Sequence, residues 1–80
     1  MEIGEKIKML RDEHGLSREN AARRLYVGKS TLAYWESGKT IMRADSIVQV
    51  AKLFNVSADW LLGLSDNRYA PGYGDDIDYS

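Results

Sequence analysis

The chain has 80 residues, and its 11 Lys and Arg side chains nearly balance its 12 Asp and Glu side chains. A chain of this length predicts one small domain with at most a short tail. It contains no Cys, which excludes disulfides, Cys-ligated zinc and thiol catalysis. Its single His, His14, leaves almost no material for a His-based metal site. We therefore expect no metal and no cofactor.

The sequence carries no signal of membrane insertion or export. No apolar run approaches the roughly 18 residues that make a segment a candidate transmembrane helix. The first five residues, Met-Glu-Ile-Gly-Glu, are too acidic and polar for a signal peptide. The sequence thus predicts a soluble, cytoplasmic protein without a membrane partner.

Charge is distributed unevenly along the chain. Residues 16–43 hold six basic and two acidic side chains, which is a net charge of +4. Residues 65–80 hold four Asp, one Arg and the only Pro, and they have too few apolar side chains to offset the entropy of ordering. We predict a domain over residues 1–64 and an acidic, disordered tail over residues 65–80.

Five segments of the predicted domain have the apolar spacing of helices, and none has the strong alternation of a strand. Ser17 and Ser57 are favourable N-caps for the second and fifth segments, and Gly15, Gly38 and Gly63 follow the first, third and fifth. The fourth segment runs over about residues 44–54. The apolar faces consist of Ile3, Ile7 and Leu10, then Ala21, Ala22 and Leu25, then Leu32 and Trp35, then Ile47, Val50, Ala51 and Phe54. The short connections favour a compact, all-α domain.

The second and third segments form a candidate DNA-binding unit. Both are short, they are joined by three residues, and they lie in the most basic part of the chain, which is typical of a helix-turn-helix. Short polar residues at the start of an exposed helix suit the major groove. The outer side of the third helix consists of Lys29, Ser30, Ala33 and Tyr34. From periodicity alone, a merely solvated basic surface remains the alternative.

Three stretches resemble the Cro/repressor-type helix-turn-helix family of bacteria and phages. They are LSRENAA at residues 16–22, KSTLAYWESGK at residues 29–39 and VSADWLLG at residues 56–63. Their order and spacing agree with the family without gaps, and the resemblance covers residues 3–63. It implies a five-helix, lambda-repressor-like domain that binds operator DNA, usually as a two-fold dimer.

The resemblance also implies which residues contact DNA. The positions that read bases fall on Lys29, Ser30, Ala33 and Tyr34. The positions that contact phosphates fall on Arg18, Thr31, Lys39, Thr40 and Arg43. Base contacts specify sequence, whereas phosphate contacts fix the register of the protein on the duplex.

Three structural expectations follow from the same resemblance. Arg11 and Glu36 are expected to form an ion pair between the first helix and the end of the third. Tyr26 occupies a turn position usually held by Gly, where a left-handed backbone would cost about 1 kcal/mol or more. Met42 replaces a usual Pro, which leaves Arg43 at the start of the fourth helix.

The sequence therefore predicts a sequence-specific transcriptional regulator of double-stranded DNA, most simply a phage or bacterial repressor that occupies two half-sites as a homodimer. The apolar residues expected at the dimer interface are Trp60, Leu61, Leu62 and Leu64. A protein-interaction module of the antitoxin or antirepressor kind is the alternative on the same fold. We do not expect an enzyme or a small-molecule substrate, because no carboxylate pair, phosphate loop or activated nucleophile is present.

Overall fold

The computed structural model describes residues 1–69, which form five helices and, over that range, no strand. The helices are α1 (Ile3–Glu13), α2 (Arg18–Arg24), α3 (Lys29–Ser37), α4 (Ala44–Phe54) and α5 (Ala58–Leu62). Helices α1 and α2 both pack against α3, and α5 packs against α4 and α1. The predicted all-α, five-helix fold is confirmed. In the described part of the chain, no helix has the length and apolar character needed to cross a membrane.

The helices begin and end where the local residue chemistry favours it. The Ser17 hydroxyl accepts a hydrogen bond from the Asn20 amide at 3.1 Å, and the Ser57 hydroxyl accepts one from the Trp60 amide at 3.3 Å. Each bond satisfies an amide that has no partner within its own helix. Helices α3, α4 and α5 end at residues in the left-handed conformation, which are Gly38, Asn55 and Gly63.

The core contains most of the predicted apolar faces, with Ile3 and Ile47 partly buried against it, and three residues that the sequence analysis did not assign to it. Its buried residues are Ile7, Leu10, Ala21, Ala22, Leu25, Leu32, Trp35, Met42, Val50, Ala51, Phe54, Val56 and Leu61. Met42 enters the core from the connection before α4. Leu61 is only 1% exposed. Its predicted place in a dimer interface is therefore wrong, because its side chain is already covered by its own chain.

Helices α1 and α3 approach each other closely at Gly4. A Cβ atom at this position would lie 2.3 Å from the carbonyl oxygen of Trp35 and 2.6 Å from that of Glu36. Both distances are far below van der Waals contact, and both neighbouring atoms belong to the backbone. The absence of a side chain at Gly4 therefore allows the start of α1 to rest directly on the end of α3.

The chain continues to contact the domain after α5. The Ser57 amide donates a hydrogen bond to the Arg68 carbonyl at 2.8 Å. The Arg68 guanidinium forms an ion pair with Glu13 at the end of α1. The Cζ atom of the same guanidinium lies 5.5 Å from the centre of the Trp60 ring. The hydrogen bond from Arg68 holds the pKa of Glu13 below its usual value. The chain thus contacts the domain beyond the predicted boundary at residue 64, and residues 70–80 of the predicted tail lie outside the described residues.

A buried lysine supports the same ring from α1. Lys6 is buried, its Nζ lies 4.8 Å from the centre of the Trp60 ring, and it donates a hydrogen bond to the Trp60 carbonyl. A cation over an indole ring is attracted by the ring quadrupole. Two cations of its own chain, Lys6 and Arg68, therefore lie over the ring of the half-buried Trp60.

Substitution of Gly4 by Ala tests the close approach of α1 and α3. We expect Gly4→Ala to lower the free energy of unfolding by about 1–3 kcal/mol, because the new methyl group pushes two backbones apart. In an open helix the same change would raise stability by about 0.5–1 kcal/mol, so the sign is diagnostic. Urea unfolding measures this change in the free energy of unfolding. The control is Lys8→Ala on the exposed side of α1, whose free energy of unfolding should stay within about 0.5 kcal/mol of the parent. A Gly4→Ala variant as stable as its parent would contradict the contact.

Candidate nucleic-acid interface

A buried carboxylate holds the C-terminal end of α3. The Glu36 side chain is 4% exposed, and its carboxylate accepts hydrogen bonds from Arg11 Nε at 2.8 Å and Arg11 Nη2 at 3.3 Å. Arg18 Nε, from the first residue of α2, lies 3.4 Å from the same carboxylate. The hydrogen bond to Glu36 raises the pKa of Arg11. The carboxylate therefore joins α1, α2 and α3 at one point.

The sequence analysis predicted the pair of Arg11 and Glu36, but it assigned Arg18 only to a phosphate contact. It did not identify Glu36 as the partner of Arg18. The sequence contained one usable signal, because Glu36 is one of only two acidic residues in the basic stretch at residues 16–43. A buried carboxylate in such surroundings attracts more than one cation.

The turn between α2 and α3 is anchored on both sides of one exposed residue. Leu25 is buried, Val27 packs against the core, and the Val27 amide donates a hydrogen bond to the Ala22 carbonyl at 3.0 Å. Between them, Tyr26 has a φ of 59°, and its residue surface is 92% exposed. Tyr26 therefore has the left-handed backbone that was expected at this position of the turn. Such a conformation costs a side-chain-bearing residue roughly 1–2 kcal/mol.

The residues predicted to read bases lie on the outward side of α3. Lys29 and Ser30 are exposed at its N-terminal end, Tyr34 is exposed one turn later, and Ala33 is half-buried beside it. The opposite side of α3 is buried through Leu32 and Trp35. The helix thus has one side fixed in the core and one side available to a ligand.

The residues predicted to contact phosphates occupy two regions. Arg18 is half-exposed beside the end of α3, and Thr31 is half-buried in its first turn. Lys39, Thr40 and Arg43 are exposed in the connection between α3 and α4. The Lys39 amide donates to the Tyr34 carbonyl at 3.0 Å, which ties the start of this connection to α3.

Several cations in this part of the chain have no acidic partner. Arg23 pairs with Glu19 at 3.4 Å, and Arg43 Nε lies 3.8 Å from a carboxylate oxygen of Asp45. Three cationic side chains of residues 16–43 form no ion pair within residues 1–69, and these are Arg24, Lys29 and Lys39. Their charge remains available to an anion. Across the same described residues, no group of three or more acidic or His side chains is arranged to hold a metal ion.

A comparison with known sequences decides the family. The sequence profile of the helix-turn-helix family matches residues 7–61, which is more than half of the chain. The protein belongs to this family. The resemblance of the Cro/repressor type seen in the three sequence stretches is thereby confirmed.

Two curated relatives are transcriptional regulators of the helix-turn-helix type. The activator BcrR of Enterococcus faecalis is 39% identical over 62 residues, which cover 78% of this chain and 30% of BcrR. The regulator ImmR of Bacillus subtilis is 32% identical over 63 residues, which cover 79% of this chain and 50% of ImmR. This chain therefore spans at most half the length of these relatives. Family and relatives are regulators rather than enzymes, in agreement with the sequence prediction.

A solved structure shows the same fold. The P22 c2 repressor, crystallised in complex with a synthetic operator, superposes with a TM-score of 0.75 over 81% of this chain and 98% of the repressor chain. The two sequences are 20% identical over this match. At that identity the likeness establishes the helical architecture, including the arrangement of α2 and α3 as a helix-turn-helix.

Removal of the Glu36 carboxylate tests the joint between the three helices. We expect Glu36→Ala to lower the free energy of unfolding by about 3–5 kcal/mol, because it leaves the largely buried Arg11 guanidinium without its counter-charge. Urea unfolding followed by circular dichroism measures the change. Glu19→Ala is the matched control, because it removes a carboxylate from an exposed pair with Arg23 and should cost less than about 0.5 kcal/mol. Equal effects of the two substitutions would contradict the role of Glu36.

Proposed function

We propose that this protein is a sequence-specific transcriptional regulator of the phage or bacterial repressor type, which binds operator DNA as a homodimer. The observation that carries the proposal is α3, whose inner side is buried and whose outward side presents unpaired polar and cationic residues. A regulator of this kind acts in the cytoplasm, where its DNA is. Its mechanism is occupancy, because a dimer bound over two half-sites blocks polymerase or provides a surface that recruits it.

Base reading is assigned to the outward side of α3. Lys29 stands in the first turn without an acidic partner among the described residues, and it can donate to O6 or N7 of guanine. Ser30 and Tyr34 offer hydroxyl groups on the same side, and Ala33 presents a methyl group that suits the methyl of thymine. A well-aligned Lys–guanine contact discriminates between bases by about 1–3 kcal/mol.

Phosphate binding is assigned to both ends of the same helix. Thr31 lies in the first turn of α3, Arg18 lies beside its C-terminal end at Glu36, and Lys39, Thr40 and Arg43 follow that end along the chain. Contacts of this kind carry no sequence information, but they fix how the helix enters the groove. Arg18 already donates to Glu36 through Nε, so its remaining guanidinium donors are the ones assigned to DNA.

The dimer is assigned to an apolar surface around the end of α5. Leu62 and Leu64, two of the residues predicted from sequence, are exposed, and Ile41 in the α3–α4 connection is 94% exposed. A groove beside them is lined by residues from α1, α4, α5 and the connection, which include Ile3, Ile41, Met42, Ile47 and Leu62. Exposed apolar surface of this kind suits a second copy of the chain. Trp60 contributes less than expected, because Lys6 and Arg68 lie over its ring.

Selection of bound sites from random duplex DNA tests operator binding. We expect a two-fold symmetric site whose half-sites lie about one helical turn apart, and a log affinity that falls with log salt by about 0.9 per neutralised phosphate. Lys29→Ala should relax the preference at one base pair, whereas Lys39→Ala should weaken all sequences alike and reduce the salt slope. Lys52→Ala, an equal loss of charge on the exposed surface of α4, is the control and should change neither quantity.

Two results would contradict this proposal. An affinity without sequence preference or salt dependence would favour the protein-interaction module, which requires no operator. Identical behaviour of the Lys29 and Lys39 variants would contradict the division into base and phosphate contacts.

A charge at the apolar surface tests the dimer. We expect Leu62→Asp to shift the monomer–dimer equilibrium towards the monomer by at least about tenfold, because two copies would bring buried, unpaired carboxylates together. Sedimentation equilibrium without DNA measures this shift. Val48→Asp, a similar change at an exposed apolar residue that does not line the groove, should leave the equilibrium unchanged. A Leu62→Asp variant that dimerises like its parent would contradict the interface.

A further inference from the structure

Tyr26 occupies an unfavourable backbone conformation without compensation from packing. Its φ of 59° is one that Gly adopts without penalty, whereas a side chain with a Cβ is strained there. Burial does not offset this strain, since the residue is 92% exposed. Within residues 1–69, its side chain takes part in no hydrogen bond, ion pair or ring contact. A strained residue that stabilises nothing in its own fold is a candidate for a function outside the fold.

The position of Tyr26 is nevertheless well defined. The Tyr26 amide donates a hydrogen bond to the Arg23 carbonyl at 3.2 Å, and the following amide, that of Val27, donates to Ala22. The neighbouring side chains of Leu25 and Val27 are held by the core. The ring therefore projects from an anchored turn, and a contact made by it requires little ordering of the backbone.

The surroundings of Tyr26 suit an anion. Residues 20–35 contain three basic side chains and no acidic one, and Tyr26 lies near the middle of that stretch. Arg24 and Lys29 are exposed and form no ion pair within residues 1–69, whereas the exposed Arg23 pairs with Glu19 at 3.4 Å. Tyr26 is separated from Lys29 at the start of α3 by two residues, so their Cα atoms are at most about 11 Å apart. In a helix-turn-helix the second helix lies in the major groove while the first crosses the sugar–phosphate backbone, so the turn between them connects the backbone side to the groove.

We propose that Tyr26 is a DNA-contacting residue whose phenol hydroxyl donates a hydrogen bond to a phosphate oxygen at the edge of the groove that receives α3. Tyr side chains are among those that contact phosphates in protein–DNA complexes. The inference rests on the proposed function and adds to it a contact from the turn itself. It also explains the strain, because the domain gives up stability at Tyr26 in exchange for a fixed hydroxyl donor.

Three single variants of the full chain test this contact, with the selected duplex and a random duplex as probes. Tyr26→Gly relieves the strain and removes the hydroxyl, so its Tm should rise while its affinity falls by at least about threefold, the equivalent of one hydrogen bond. Tyr26→Phe keeps the ring and should lose a similar factor. Asn55→Gly is the matched control, because Asn55 and Tyr26 are the two non-glycine residues with a positive φ within residues 1–69. The affinity of this variant for both duplexes should equal that of the parent.

Two further readouts separate a phosphate contact from other roles. The loss should be the same on both duplexes, because phosphate contacts carry no sequence information. The slope of log affinity against log salt should not change, because a neutral phenol releases no counterion. A merely structural tyrosine would instead lower the Tm when it is replaced by Gly.

The failures of the two proposals are distinguishable. If the parent chain binds no duplex, the proposed function fails and this inference fails with it. If the parent binds and Tyr26→Gly binds equally well, or loses Tm, the inference alone is overturned. Full affinity of Tyr26→Phe also overturns it, because the proposed donor is the hydroxyl group.

Discussion

The orientation of α3 depends on one buried carboxylate. Apolar packing of Leu32 and Trp35 buries the inner side of the helix, but the hydrophobic effect has no direction and tolerates rotation or sliding. Hydrogen bonds from Arg11 and Arg18 to Glu36 do have direction. They fix the end of α3 relative to both α1 and α2. A buried charge carries a large desolvation penalty, so this arrangement is stable only while its cationic partners are present.

The contact at Gly4 acts on the same end of α3. The start of α1 meets the carbonyl groups of Trp35 and Glu36. The backbone contact with Gly4 and the ion pair with Arg11 therefore act on the same two residues at the end of α3. The C-terminal end of α3 is therefore held by steric fit and by charge together. Its N-terminal end, at Lys29 and Ser30, is left exposed. This division suits a helix that enters a groove with its N-terminus, because the anchored end sets the angle and the other end makes the contacts.

The sequence was sufficient for the helices and insufficient for the contacts between distant segments. Ser17 and Ser57 as caps and Gly38 and Gly63 as terminators are local signals, and each marks a helix end in the structure. Lys6 with Trp60 and Glu13 with Arg68 are separated by more than 50 residues. Periodicity shows which side of a helix is apolar, but it does not name the partner of a charged residue.

The error at Leu61 has a similar origin. Helix α5 has five residues, little more than one turn, so a run of neighbouring apolar residues does not reveal which of them faces the core. Leu61 is buried, while Leu62 next to it is exposed. The expected base contacts were less sensitive to this problem. They lie on the nine-residue α3, where Leu32 and Trp35 define the inner side and therefore the outer one.

The near balance of 11 basic and 12 acidic side chains conceals how differently the cations are used. Arg11 and Arg68 form ion pairs that hold helices or connections together, and Lys6 is buried against Trp60. Lys29 and Lys39 form no such pair among the described residues. At physiological ionic strength exposed charges act over about 8 Å, so an approaching phosphate responds to these nearby lysines rather than to the sum over the chain. A net charge of -1 is therefore compatible with a DNA-binding surface, because pairing determines which charges remain exposed.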